Sequence, residues 1–364
     1  LPDHNDNFKA VPRSKDDLAS FLYTSGTTGR SKGAMLSHEN LSSNAETLKE
    51  YWYFSKSDVL IHALPIFHIH GLFVAINITL CAGSSMLFFP NFNKELILQQ
   101  MKKATVLMGV PTFYVRLLEL PNLSQETTAH MRLFVSGSAP LLAETHKRWS
   151  EVTGTAILER YGMTETNMNA SNPYDGERRA GTVGLALPGV EVRIADPDTG
   201  KELVQGEIGS VEISGPNVFK GYWQMPEKTK EEFREDGFFI TGDMGMKDKD
   251  NYLSIVGRSK DLIISGGYNV YPKEVEIVLD DIDGVFESAV IGVSHPDFGE
   301  GVLAVVVLEP GKNLTENDLK IVIKEILAFY KQPKRIFFVD ALPRNTMRKV
   351  LKNNLRESHK NLIL

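Results

Sequence analysis

Short apolar runs alternate with longer amphipathic stretches through the first half of the chain, which predicts layers of helix and strand. "LASFLYT" reads as a strand, "SHENLSSNAETLKEYW" as a helix and "VLIHALP" as the next strand. Further strands are expected at "SSMLFFP", "ATVLMGV" and around Met131 to Ser138, with helices over 94–103 and 112–119. After Gly181 the texture turns to β, with short alternating runs and turn residues in "GVEVRIAD", "GEIGSVEISG" and "GFFITGDMGMKDKDNYLSIVG". Another change falls at Lys260 and Asp261, beyond which roughly a hundred residues remain, the size of a small α+β domain. Its clearest helix follows Thr315, which can cap with Asp318. Leu319, Val322, Ile323, Ile326, Leu327 and Tyr330 then recur at helical spacing, so that one face packs. The expected class is α/β: a large unit of α/β layers plus a β subdomain over 1–257, then a small α+β domain over 258–364.

Composition narrows the function classes. At 364 residues and 42% hydrophobic, the chain can bury a large core. A net charge of −6, with no basic stripe, argues against a nucleic-acid partner. The most apolar region, Ile61 to Phe89, is interrupted by Pro65, three histidines, Gly71 and Asn77 before it reaches the ~20 apolar residues of a membrane span. It reads as a buried helix and strand. One cysteine, Cys81, excludes an internal disulfide framework and fits a reducing, cytoplasmic setting; core packing is its expected role. The opening "LPDHNDNFKAVPRSKDD" is polar, begins without Met and shows no signal-peptide pattern, which leaves a preceding targeting segment open.

Chemistry first shows in "YTSGTTGRSKG", Tyr23 to Gly33. A Walker A loop is excluded, because Gly26 and Gly29 stand three apart and Lys32 follows three later. Gly26, Gly29 and Gly33 still let backbone N–H groups turn inward, Ser25, Thr27, Thr28 and Ser31 add hydroxyls, and Arg30 and Lys32 add charge. Such a loop suits phosphate; an ordinary Ser/Thr/Gly surface turn has the same composition.

Five further motifs follow in order: "SGSAP" at Ser136 to Pro140, "YGMTE" at Tyr161 to Glu165, "TGD" at Thr241 to Asp243, "GRSKD" at Gly257 to Asp261 and "PRNTMRK" at Pro343 to Lys349. With the glycine loop they resemble the adenylate-forming acyl-CoA synthetase superfamily over nearly the whole chain. The resemblance implies a two-step reaction, in which a carboxylate and ATP give an acyl-adenylate and pyrophosphate, and a thiol then takes the acyl group. It implies that Thr24, Ser25, Gly26, Thr27, Thr28, Gly29 and Lys32 hold the outgoing phosphates. Ser138, Ala139 and Pro140 would line the adenine, with Tyr161 stacked on it and Gly162, Met163 and Thr164 completing the nucleotide motif. Asp243 can accept two hydrogen bonds from ribose hydroxyls, and Arg258 can donate to the ribose or phosphates. Glu165 with Thr24 resembles a magnesium site, a hard ion suited to few carboxylates plus phosphate oxygens.

Lys349 is expected to carry adenylation, as a cation between the attacking carboxylate and the α-phosphate. The family typically has Gly immediately before this lysine, where this chain has Arg348. Lys352 reads as part of a basic amphipathic C-terminal helix. The small domain is expected to rotate about a hinge at Lys260, bringing Gly266 and Gly267 to the pantetheine of CoA. Only about two dozen residues precede the glycine loop, so the front of the family fold is expected to be missing.

The acid is addressed by Arg160, just before the Tyr of "YGMTE", and by Arg116 in "VPTFYVRLLEL". Together with "ERRAGTVG" these resemble malonyl-CoA synthetases within the superfamily, where a fatty-acid ligase would have apolar walls. His68, His70 and Ser138 would flank the same acyl pocket, the histidines as packing or a gate. The expected reaction converts malonate, ATP and CoA, with Mg2+, to malonyl-CoA, AMP and diphosphate. The alternatives are another short- or medium-chain acid, or a catalytically silent nucleotide-binding relative.

Overall fold

In the computed structural model, which describes residues 9–24, 32–345 and 349–360, the first core forms around strands with no polar face. Val59–His62, Val106–Gly109 and Leu133–Ser136 are almost wholly buried and pair in parallel, as near-continuous apolar runs do when both faces are covered. They are the centre of a seven-stranded sheet. Ser85–Phe88 adds in parallel at one edge and Leu158–Met163 on the other side, where Asn167–Ser171 and Leu185–Ala186 continue antiparallel. Helices Pro111–Leu118 and Ala143–Thr153 set Trp149 edge-on against both Tyr114 and Phe134, with ring centroids 5.0 and 4.9 Å apart.

The apolar stretch after Val59–His62 holds more structure than one helix and one strand. A π-helix, His70–Ala75, runs directly into α-helix Ile76–Ala82. That helix turns Ile78, Thr79 and Ala82 inward, so Leu80 and Cys81 face out. Cys81 is therefore exposed, contrary to the expectation of core packing. Among the described residues no helix is long and apolar enough to cross a membrane.

The β-textured region forms a four-stranded antiparallel sheet of Glu191–Ala195, Gly209–Ser214, Phe239–Lys247 and Leu253–Arg258. Its register sets Asp243 directly across from Arg258. A 3-10 turn, Ser259–Asp261, leads into a five-stranded sheet, built from Ile263–Ser265, Tyr268–Val270, Val285–His295, Gly299–Leu308 and Arg335–Phe338. Alternation divides the long strands between two cores: Val290, Val302, Ala304 and Val306 pack with helices Pro272–Asp280 and Glu316–Ile326. Ala289, Ile291, Leu303 and Val305 face Leu342 and Leu355.

The Thr315 cap forms as expected, its hydroxyl accepting from Asp318 N while the Asp318 carboxylate accepts from Thr315 N. The helix nonetheless stops at Ile326, because Leu327 is extended. Only Leu319 and Ile323 of its apolar stripe are buried, whereas Val322 and Ile326 are exposed. Tyr330 lies beyond it, on a separate 3-10 turn stacked on Tyr268.

Candidate active site

Open α/β sheets bind ligands beyond the carboxyl ends of their parallel strands. The motif residues gather there. Ser138 follows strand Leu133–Ser136 in a left-handed conformation, φ +71°, that costs a non-glycine residue about 1 kcal/mol or more. Its Oγ lies 3.2 Å from His70 Nδ1. Ala139 and Pro140 complete the bend, with Pro140 exposed. Arg160, Tyr161, Gly162 and Met163 end the strand Leu158–Met163, and Thr164 turns the chain into Glu165. A Cβ on Gly162 would meet Asn167 O at 1.9 Å, so the bulge between Tyr161 and Gly162 requires glycine.

Tyr161 Oη donates to Asp243 Oδ2 at 2.5 Å, and Arg258 Nε holds Asp243 Oδ1 at 2.7 Å. These partners orient a carboxylate 5% exposed, whose remaining lone pairs can accept hydroxyls. Burial, reinforced by Asp243, pushes the Tyr161 phenol well up, so it stays a donor.

Arg160 is 3% exposed, yet its Nε and Nη2 have no hydrogen-bond partner among the described residues. Glu159 does not supply one. The two side chains leave opposite faces of their strand, and Glu159 Oε1 accepts from Leu141 N at 3.2 Å. Burial pushes the Arg160 guanidinium down to about 9 and the Glu159 carboxyl up to about 8. A Cβ on Gly137 would lie 2.4 Å from Arg160 Cζ, so the backbone at Gly137 is pressed against the guanidinium. His68 senses Arg160 from one side and Lys349 from another; burial first, and then these two cations, bring it down to about 4. His70 is held well below its ordinary value by burial and then Arg160, and its Nε2 is unpaired among the described residues. Arg116 stands half-buried on helix Pro111–Leu118 and makes no hydrogen bond or ion pair with any described residue.

Lys349 is not on the C-terminal helix. It leaves a hairpin closed by Leu351 N to Pro343 O at 2.8 Å and Asn345 N to Lys349 O at 3.0 Å, and the helix begins at Lys352. The residue is exposed overall, yet protein crowds its ammonium. Desolvation and then Arg258 lower its affinity for a proton, against Asp243 and Glu165. Lys352 points away and pairs with buried Glu276 at 2.6 Å. Gly266 and Gly267, with φ of +59° and +81°, form an exposed two-residue turn between Ile263–Ser265 and Tyr268–Val270, the left-handed pair that tight hairpins demand.

Ser25, Gly26, Thr27, Thr28, Gly29 and Arg348 lie outside the described residues. Thr24 ends the strand before the loop, its Oγ1 3.5 Å from Lys32 O. Lys32, read as a phosphate ligand, has its ammonium on Glu232 at 2.9 Å and on the Tyr222 hydroxyl at 3.0 Å. Tyr222 in turn reaches Glu165, which is 4% exposed and whose carboxyl is pushed up by burial. Sequence reasoning missed Tyr222 and Glu232; "KGYWQMPEKTKEEF" carries no local signal of a partner 57 residues earlier. No three His, Cys, Asp or Glu side chains gather as a metal cage among the described residues. One buried carboxylate with one hydroxyl fits a magnesium ion that keeps water and phosphate oxygens as its other ligands.

The family model "AMP-binding enzyme" matches residues 2–223, and "AMP-binding enzyme C-terminal domain" matches 274–349. The chain is 38% identical to a malonate–CoA ligase of Arabidopsis thaliana, covering 98% of this chain and 63% of that relative's length. ATP-bound MatB from Rhodopseudomonas palustris is 64% identical, with a TM-score of 0.95 over 97% of this chain and 70% of its own. Apo MatB from the same organism has the same identity and coverage but a TM-score of 0.82.

Proposed function

The chain belongs to the AMP-binding enzyme family, and from that premise we propose that it acts as an ATP-dependent acid–CoA ligase on malonate. One malonate oxygen attacks the α-phosphorus of ATP, the bond to the β-phosphate breaks and pyrophosphate leaves. The sulfur of CoA then attacks the acyl carbonyl, AMP leaves, and the thiol proton passes to solvent. Lys349 acts in the first half by opposing the charge that grows at phosphorus, the kind of preorganised electrostatics that carries most catalytic benefit. Asp243, Arg258 and Tyr161 hold the ribose and adenine with Ser138, Ala139, Pro140, Gly162, Met163 and Thr164. Glu165 and Thr24 take Mg2+, which when bound neutralises phosphate charge. The domain boundary falls at 257/258 with the hinge at Lys260, and Gly266 and Gly267 serve CoA in the other orientation.

The observation that carries the choice of acid is the buried, unpaired guanidinium of Arg160. An uncompensated buried charge costs several kcal/mol, and a second carboxylate on the substrate supplies the counter-ion. Both Arg160 and Lys349 act on the buried His68, which puts the two cations on one site. A small diacid suits two such cations: one carboxylate reacts beside Lys349 while the other pairs with Arg160 and also satisfies His70 or Ser138. Arg116 is the second candidate cation for the distal carboxylate. The higher TM-score with the ATP-bound relative than with the apo one, at equal identity, supports reading the present arrangement as the adenylating one.

ATP–pyrophosphate exchange across short acids and diacids tests the reading. Malonate is expected to give the fastest exchange. Arg160→Met is expected to lower kcat/KM for malonate by about 10²-fold, the equivalent of a charge-assisted bond worth roughly 3 kcal/mol, and to spare propionate. An unchanged malonate-to-propionate ratio would remove the basis for malonate and favour a generic short-chain acid.

A further inference from the structure

Lys32 and Glu165 belong to two motifs far apart in the chain, and two residues outside both motifs join them. The segment Lys220 to Trp223 lies along strand Lys32–Ser37, the strand leaving the glycine loop. Its bonds are Lys220 N to Met35 O at 2.9 Å, Met35 N to Gly221 O at 2.9 Å and Trp223 N to Gly33 O at 2.8 Å. Phe219 N also donates to Glu165 O at 2.8 Å. Tyr222 is thereby clamped between the exit of the glycine loop and the backbone of Glu165. Its ring is 2% exposed, packs against Phe219 at 4.8 Å and lies 4.2 Å beneath the Lys32 ammonium.

The Tyr222 hydroxyl sits 3.0 Å from Glu165 Oε1 and 2.6 Å from Glu232 Oε2, and accepts from Lys32 Nζ. A phenol owns one hydrogen, so it serves one carboxylate at a time. Glu232 has two other donors, since Lys32 and Lys228 approach it at 2.9 and 3.2 Å. Apart from its own backbone N–H, the Glu165 carboxylate has no hydrogen-bond donor but Tyr222 among the described residues.

We propose that Lys32, Tyr222 and Glu232 form a positioning unit that aims the Glu165 carboxylate at the cation accompanying ATP; Lys32 acts through this unit rather than as a phosphate ligand. With Glu165 holding that cation, the Tyr222 hydroxyl would be free to give its hydrogen to Glu232. Loop exit, tyrosine and carboxylate are thus coupled to metal loading.

This inference rests on the ATP-dependent reading above, and its test separates the two. ATP binding to the full chain is measured by calorimetry with excess Mg2+ and again with EDTA, without any acid or CoA. Tyr222→Phe keeps the packed ring and removes the hydroxyl. It is expected to weaken binding of Mg·ATP about tenfold and to leave metal-free ATP binding unchanged, since it removes one hydrogen bond to a charged group. Lys32→Met is expected to show the same metal-selective loss, and Glu232→Gln a smaller one of the same kind, so the result does not depend on any one variant folding well. Equal losses with and without metal in Lys32→Met would make Lys32 a direct phosphate ligand and overturn the proposal. Unchanged Mg·ATP binding in both Tyr222→Phe and Glu232→Gln would overturn it as well. Failure of the unaltered protein to bind Mg·ATP at all would overturn this inference together with the ligase reading.

Discussion

Glu159 and Arg160 are neighbours in sequence and both buried, yet burial acts on them in opposite directions. For Glu159 the folded state holds the carboxyl proton up to about pH 8, with Oε2 unpaired among the described residues. The folded state therefore binds more protons than the unfolded chain between roughly pH 4.5 and 8, and stability falls as pH rises through that window. Glu159→Gln, neutral at every pH and still able to accept from Leu141 N, is expected to remove that slope. At pH 8 it should be more stable than the unaltered protein by about 1 kcal/mol or more, and near pH 4.5 almost equal to it. Urea unfolding at the two pH values measures the difference. The residue types at this strand are legible from "ERYGMTE"; strand alternation puts them on opposite faces, which leaves the arginine without a hydrogen-bond partner among the described residues.

At the scale of elements, the hairpin that presents Lys349 depends on a contact well away from the site. Glu276, 7% exposed on helix Pro272–Asp280, accepts from Val290 N at 3.0 Å and from Lys352 Nζ at 2.6 Å, three residues beyond Lys349. Glu276→Ala strands a buried amide and unpairs Lys352, and is expected to cost roughly 2–3 kcal/mol of stability. Glu357→Ala, which breaks the exposed pair with Lys360, should cost under about 0.5 kcal/mol. Chemical denaturation of both variants checks the contrast. The hairpin itself was hidden in the sequence, because "PRNTMRKVLKNNLRE" also fits a basic helix. The paired backbone of Pro343 and Leu351 decides for a hairpin, and the helix starts only afterwards. Periodicity overran in the same way at Leu327 and Tyr330, which repeat the helical spacing after the backbone has become extended.

At the scale of the whole molecule, Lys349 comes from the C-terminal part of the chain yet feels Arg258, Asp243, Glu165 and Arg160 from the part before it. If the two half-reactions use different orientations, Lys349→Ala should lower ATP–pyrophosphate exchange by about 10²–10³-fold or more, as losing a transition-state stabiliser does, and leave thioester formation from supplied malonyl-adenylate largely intact. Single-turnover assays of each half-reaction read this directly, and equal losses would end the division of labour. The sequence by itself determined the fold class, the order of the layers and the motifs that converge around Tyr161, Asp243 and Arg258, because strand runs, turn glycines and contiguous motifs are local properties. It also singled out Arg160, though only as a charge at a motif position. Tertiary structure alone decided that Arg160 has no hydrogen-bond partner among the described residues, that Lys32 rests on Glu232, that Cys81 faces outward and that Tyr222 touches Glu165. Each of these depends on which distant segments exclude water from a side chain, and burial of that kind leaves no trace in residue spacing.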